Sequence, residues 1–348
     1  MLASWPIPAL LFAFTLAALV VLVSGLRMTS LVDRLADRMG IGEAIAGAVL
    51  LGAATSLSGT IVSITVALDG QASMAYSNSI GGIAAQTAFL AIADVAYRRA
   101  NLEHAAADLA NIFQAITLIV LLTLPLLAGT LAEFTVIAIH PVSLVIPVIY
   151  VGALVATRAL REMPMWRPVD TRDTRNDMPE RESAAARQIT TLRLLLHFLL
   201  LMLLMGIAGW TIAKTAGSIT ARLALSETLV GALATAVVTS MPELVTTIAA
   251  VRRGALQLAV GGIIGGNTFD TLFLTAADIA YRDGSLYHAA TVSDQFWTLT
   301  AILMTGILLS GLILRQRNGP GGIGVETIAI LVVYAGAITF QVMGATGG

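Results

Sequence analysis

Two carboxylates stand in stretches of sequence that are otherwise apolar: Glu243 in VTSMPELVTTIAA and Asp270 in GGIIGGNTFDTLFL. Burying a charged side chain in such a setting costs a few kcal/mol, so an acid kept there marks a function and a partner. Their neighbours are also oxygen-bearing. Thr239 and Ser240 precede Glu243, and Asn267 lies one helical turn before Asp270 on the same face. Pro242 is expected to interrupt its helix, removing a backbone hydrogen bond and releasing the carbonyl of Val238. Carboxylate, amide, hydroxyl and freed carbonyl oxygens together form the hard-ligand set that Ca²⁺, Na⁺ or Mn²⁺ accepts. No metalloprotease, nucleophile-elbow or phosphate-loop motif is present, which argues against an enzyme, and no cofactor is expected.

The elements that must position these groups are membrane helices. Of the 348 residues 57% are hydrophobic and only 12% charged, against about 25% charged in soluble domains. Ten apolar runs of bilayer length are expected, making an all-α membrane protein. The first five lie near 7–25, 41–66, 71–96, 110–130 and 134–157, the second five near 191–213, 225–250, 255–281, 291–314 and 323–345. The first run lacks a basic leader and a clean cleavage site and is read as a retained span. Residues 158–190, rich in Arg, Asp, Glu and Pro, form a polar cytoplasmic linker between a first domain, 1–157, and a second, 191–348. Seventeen of the 20 basic residues fall on one side of this topology, leaving Lys214, Arg222 and Arg282 on the other. The positive-inside rule then puts both termini outside the cytoplasm, in a cell membrane expected to be a prokaryotic inner membrane. There is no cysteine, so neither disulfides nor thiolate metal sites exist.

The two domains are copies. A shift of 184 residues superposes 41–106 on 225–290 without a gap, with about 23 of the 66 positions identical. Thr55-Ser56 falls on Thr239-Ser240, Gly81-Gly82 on Gly265-Gly266, Asp94 on Asp278 and His104 on His288. Five spans per copy is an odd number, so the copies are inverted, an arrangement characteristic of secondary transporters with a site where interrupted helices meet at mid-membrane. The first copy lacks the acids: Gly59 replaces Glu243, Ile83 stands for Asn267 and Gln86 for Asp270, while Asn78 adds an amide opposite Gly262. Its wall therefore offers Thr55, Ser56, Ser58, Asn78 and Gln86 as neutral oxygens beside a formal charge of −2 contributed by the second copy. Asp94 with Arg98, and Asp278 with Arg282, have the spacing of ion pairs near helix ends. Glu43 and Glu227 sit where a carboxylate favours a helix start. His140 and His197 are expected as lone core histidines within the fifth and sixth spans.

The stretch TSMPELVTTIAAVRRGALQLAVGGIIGGNTFDTLFL resembles the second signature repeat of the calcium/cation antiporter superfamily, which contains the sodium/calcium and proton/calcium exchangers. The likeness covers about 45 residues in each half and extends to the span pattern. It implies a ten-helix inverted-repeat fold in which the first helix of each half slides against a rigid bundle. It also implies cation antiport, with inorganic cations and protons as substrates and no nucleic-acid or obligate protein partner. In the family pattern both repeats carry the Glu, and Ser usually stands at the positions of Gly82 and Gly266. Those departures disfavour a several-sodium stoichiometry and leave exchange of one divalent ion for protons self-consistent. The lost acid leaves open a monovalent cation or another solute as cargo, or a non-transporting sensor that inherited the fold.

Overall fold

The structure, a computed structural model, describes residues 4–39, 52–97, 100–169, 171–172, 174, 190–317, 319 and 323–346. Glu43, Gly47, Arg98 and most of the linker lie outside the described residues. Those described are helical apart from turns and one isolated bridge between Val136 and Ile139. In chain order the helices are α1 (Ile7–Met39), α2 (Gly52–Thr55), α3 (Leu57–Leu68), α4 (Ala72–Ala96), α5 (Leu102–Ala105), α6 (Leu109–Thr130) and α7 (Val142–Glu162). Then follow α8 (Thr191–Leu223), α9 (Glu227–Thr239), α10 (Met241–Arg253), α11 (Leu256–Asp270), α12 (Leu272–Ala280), α13 (Leu286–Ala289), α14 (Val292–Leu314) and α15 (Val325–Thr346). Among the described residues seven helices are long and apolar enough to cross a membrane, and α9 with α10 makes an eighth if the bent pair is one span.

Burial sorts the helices by position. α4 has a long, mostly buried run flanked by the site's other elements, whereas α1, α7 and α8 expose much of their length. Such outward apolar surface is what a bilayer covers. α1 and α8 are each 33 residues, about 50 Å long, and pack along one another. Both helices continue past the spans expected to end at 25 and 213, and the membrane-length apolar part of α1 ends at Met28. Arg27 and Arg34 mark where the sequence leaves lipid, but a helix needs only its own hydrogen bonds to continue. α7 begins at Val142 rather than near 134, since residues 131–141 form an irregular crossing with Ile137 and Ala138 at positive φ. It then runs to Glu162, so the first residues assigned to the linker are helical.

The 184-residue shift recurs in the hydrogen bonding. Asp94 accepts from the Leu102 N–H at 2.7 Å, from the Thr327 hydroxyl at 2.7 Å and from the Gly324 N–H at 3.4 Å. Asp278 accepts from the Leu286 N–H at 2.9 Å, from the Ser143 hydroxyl at 2.6 Å and from the His140 N–H at 2.8 Å. Leu102 falls on Leu286, Ser143 on Thr327 and His140 on Gly324, so one aspartate clamp is built twice. The expected Asp278–Arg282 pair is not formed. α12 ends at Ala280, and the Arg282 guanidinium turns to the carbonyls of Ile279 and Ile137. His140 lies in the crossing before α7, where burial lowers its imidazole pKa. His197 is exposed on α8 and bonded to the Arg193 carbonyl. Glu227 does open α9.

Candidate functional site

Both copies break a helix at the same serine. Between α2 and α3 the chain passes through Ser56 at φ −80°, ψ 0°, and between α9 and α10 through Ser240 at φ −94°, ψ 2°. The second break bends the chain by 46°. Their ψ values near 0° depart from the helical value, although Ser240 still donates to the Ala236 carbonyl and accepts from Leu244, and Ser56 accepts from Thr60. Only the second copy has a proline, so Pro242 is not the cause of an interruption that Ser56 makes without one. Pro242 sits in the first turn of α10, where a missing N–H costs nothing. Pro242 still has no N–H to offer the Val238 carbonyl four residues back, and the break itself is common to both halves.

The breaks are held open by close approach. A Cβ on Gly25 of α1 would stand 2.5 Å from Pro242, and one on Gly209 of α8 would stand 2.6 Å from the Ser58 carbonyl oxygen. Gly209 is the repeat partner of Gly25, and Pro242 that of Ser58. Each long helix therefore crosses the broken segment of the opposite half at a glycine.

Between the breaks lie α4 and α11, and there the two halves touch at equivalent residues. The Ser56 hydroxyl donates to Asp270 Oδ1 at 2.7 Å, and Gln86 Nε2 donates to Asp270 Oδ2 at 2.7 Å and to Ser240 Oγ at 3.2 Å. Gln86 and Asp270 are themselves repeat partners, as are Ser56 and Ser240. The Ser79 hydroxyl adds a bond to the Asp270 carbonyl at 2.8 Å. Gly82 leaves the space: a Cβ there would lie 3.4 Å from Ser240 Oγ and 3.8 Å from Asp270 Oδ2. Asp270 is 2% exposed and Glu243 8%. Asp270 is close enough to Glu243 for their charges to interact, and Thr55 stands beside Glu243 as a hydroxyl neighbour.

Several of the expected ligand oxygens have no hydrogen-bond partner. Both carboxylate oxygens of Glu243, Asn267 Oδ1, Gln86 Oε1 and Ser58 Oγ are buried without a hydrogen-bond partner. Asn267 Nδ2 is anchored to the Thr87 hydroxyl at 3.0 Å, which fixes its amide against α4. Two expected ligands are otherwise engaged. Asn78 donates to the Gly59 carbonyl and Ser63 Oγ and accepts from Thr235, and Thr239 donates to the Thr235 and Ala236 carbonyls. Asn78 thus braces α3 and α9 against α4. Ser79, Thr87 and Phe273 were not singled out from sequence. Phe273 answers for the missing acid, because a Cβ on Gly59 would meet its ring at 2.7 Å. The signal was there in the repeat, where Phe273 falls on Phe89.

The profile of the family described as "Sodium/calcium exchanger protein" matches residues 9–157 and 193–343, most of both halves. The chain belongs to that family. Membership makes it a multi-pass membrane protein of a cation-exchanging class. Among curated relatives, the inner membrane protein YrbG of Escherichia coli (strain K12) is 31% identical over 134 residues, 38% of this chain and 40% of that protein. The match therefore spans about two fifths of the relative's length. Among solved structures, the sodium-calcium exchanger NCX_Mj soaked with 2.5 mM Na⁺ and 0.1 mM Sr²⁺ superposes with a TM-score of 0.62 at 17% identity, covering 96% of this exchanger and 99% of that chain. The H⁺/Ca²⁺ exchanger CAX superposes with a TM-score of 0.68 at 13% identity, covering 97% and 87%. At such identities the likeness is one of fold.

Proposed function

We propose that this exchanger binds one divalent cation, Ca²⁺ or a similar ion, between Glu243 and Asp270, and exchanges it for protons or Na⁺ by alternating access. The observation that carries the reading is the pair of Glu243 oxygens, buried and without a partner. An uncompensated buried carboxylate is strongly destabilising, and either a bound cation or a proton relieves it. Those two occupants are the two ligands an antiporter must hold in turn. Ca²⁺ takes 6 to 8 oxygens. Asp270, Asn267, Gln86, Ser58, Ser56, Ser240 and Thr55 can supply the remainder, with Thr239 and Asn78 behind them. Among the described residues no group of three or more His, Cys, Asp or Glu side chains is placed to hold a metal.

We read the chain as ten spans in two inverted halves joined by the cytoplasmic linker, with both termini outside. The doubled aspartate clamp, the doubled serine break and the reciprocal glycine crossings support it, as does the asymmetry of basic residues. α1 and α8, bearing Gly25 and Gly209, are then the elements that slide. Purified protein in liposomes should take up Ca²⁺ when a proton or sodium gradient is applied, and Glu243→Gln should abolish it. Uptake that survives this change removes the assignment. A second reading, monovalent cargo, is favoured by one observation, the Phe273 ring occupying the place of the first half's acid. Competition between Ca²⁺ and monovalent ions under matched gradients separates the two.

A further inference from the structure

At the α5 end of the bundle, away from the cation site, two glutamates meet over a glycine. A Cβ on Gly311 of α14 would stand 2.6 Å from Glu326 Cγ, 2.9 Å from Glu326 Oε1 and 3.1 Å from Glu103 Cγ. Both side chains therefore converge on one point, and only a glycine leaves them room. Glu103 is 1% exposed and Glu326 8%. Glu103 Oε2 and Glu326 Oε1 are each buried without a hydrogen-bond partner.

The charges around them are defined. From α4 comes Asp94, whose oxygens are occupied by Leu102, Thr327 and Gly324. Beyond the end of α14, Arg315 directs its guanidinium to the Val169 and His104 carbonyls and Thr174. Arg317 gives its carbonyl to the Asn101 N–H. On α5 itself, His104 turns its ring to the Arg315 carbonyl and Thr171. α6 presents Asp108 at its start. The pair is not demanded by the repeat. Glu103 falls on Tyr287, which bonds Ser143 at 2.7 Å, and Glu326 falls on Val142.

We propose that Glu103 and Glu326 form a proton-binding site, separate from the cation site, in which two carboxyl groups share one proton and pin α5 to the start of α15 beside the Asp94 clamp. Two close carboxyls in dry surroundings cannot both ionise cheaply, and one proton converts their repulsion into a hydrogen bond. Burial, with Asp94 and Glu326 nearby, pushes the Glu103 carboxyl up to about 8. The unfolded value is 4.5, so the folded form holds the extra proton between the two. Stability from this site is full at low pH and is lost as pH rises through about 8. Loss of the proton would loosen α5 and α15 at one mouth of the bundle.

The test is made on purified full-length protein and does not depend on what ion is carried. An infrared difference spectrum, wild type minus Glu103→Gln, should show the carbonyl band of a protonated carboxylic acid at neutral pH that fades above about pH 8, the subtraction removing whatever the cation-site acids contribute. Melting temperatures recorded between about pH 4.5 and about pH 8 should fall with pH for the wild type and flatten for Glu103→Gln and for Glu326→Gln alike, with the double variant no flatter than either. An unchanged pH slope in Glu103→Gln, or a double variant whose change equals the two single changes combined, overturns the proposal. If those variants do not fold, the same band is sought in a Glu243→Gln, Asp270→Asn background, where its presence at neutral pH supports the shared proton and its absence overturns it.

Discussion

Replacing Gly209 by Ala tests the crossing of α8 over the broken helix of the other half, because the same helix supplies its own control. A Cβ at 209 would lie 2.6 Å from the Ser58 carbonyl oxygen, 3.1 Å from Ser58 Cα and 3.3 Å from Ile61 Cβ, whereas one at Gly206 would meet nothing within 4 Å. The close neighbours at 209 are backbone, not the end of a flexible chain. Relief therefore requires α8 and α3 to move apart by most of an ångström, which for overpacked cores costs about 1–3 kcal/mol. At Gly206 the same change removes the penalty of a mid-helix glycine, a gain of about 0.5–1 kcal/mol. Thermal unfolding in one detergent should thus place Gly206→Ala above the wild type and Gly209→Ala below it. Exchange in liposomes should fall for Gly209→Ala, since about 1.4 kcal/mol is tenfold in the population of the observed packing. Gly25→Ala, facing Pro242, should behave like Gly209→Ala. Identical melting and transport for the 206 and 209 variants would show that the crossing is not the tight contact described here.

Restoring an acid to the first half by Gly59→Glu should destabilise the protein, because the Phe273 ring occupies the space. Adding Phe273→Ala should recover part of the loss in melting temperature. Asp278→Asn leaves three donors, from Leu286, His140 and Ser143, with one acceptor oxygen. A cost of about 2–4 kcal/mol is expected by thermal unfolding, and equal stability would contradict the clamp. Gln86→Leu removes a donor from Asp270 and from Ser240. It should cost about 1.5–3 kcal/mol and lower Ca²⁺ protection against thermal unfolding, with unaltered protection refuting the contact.

Glu243 and Asp270 stood out in the sequence because charge in an apolar run is rare, and the 184-residue shift pointed to Ser56 and Gln86, which the structure brings to Asp270. The shift states equivalence, however, and not contact. Nothing in it reveals that Gln86 touches Asp270 or that Asn78 is consumed by bonds to Gly59, Ser63 and Thr235. The Ser56 break was hidden for the opposite reason to the Ser240 one: no proline announces it, and a shift of one ψ to about 0° is enough to interrupt the helix. Spacing misled at Asp278, since four residues to Arg282 means one face only while the helix lasts, and α12 stops at Ala280. Hydropathy stops short of the ends of α1 and α8 because it reports which residues tolerate lipid, not where hydrogen bonding ends.

The contact between Gln86 and Asp270 bears on descent. Residues that are equivalent and touch must straddle the pseudo-twofold axis, so in an unfused ancestor assembled from two identical chains they would have been one residue meeting its own copy. An aspartate there would have confronted an aspartate, and a glutamine a glutamine. An acid facing an amide needs two halves whose sequences differ at this position, as they also do at Gly59 and Glu243. The unequal charge of this pocket is thus something a symmetric pair of identical chains could not have.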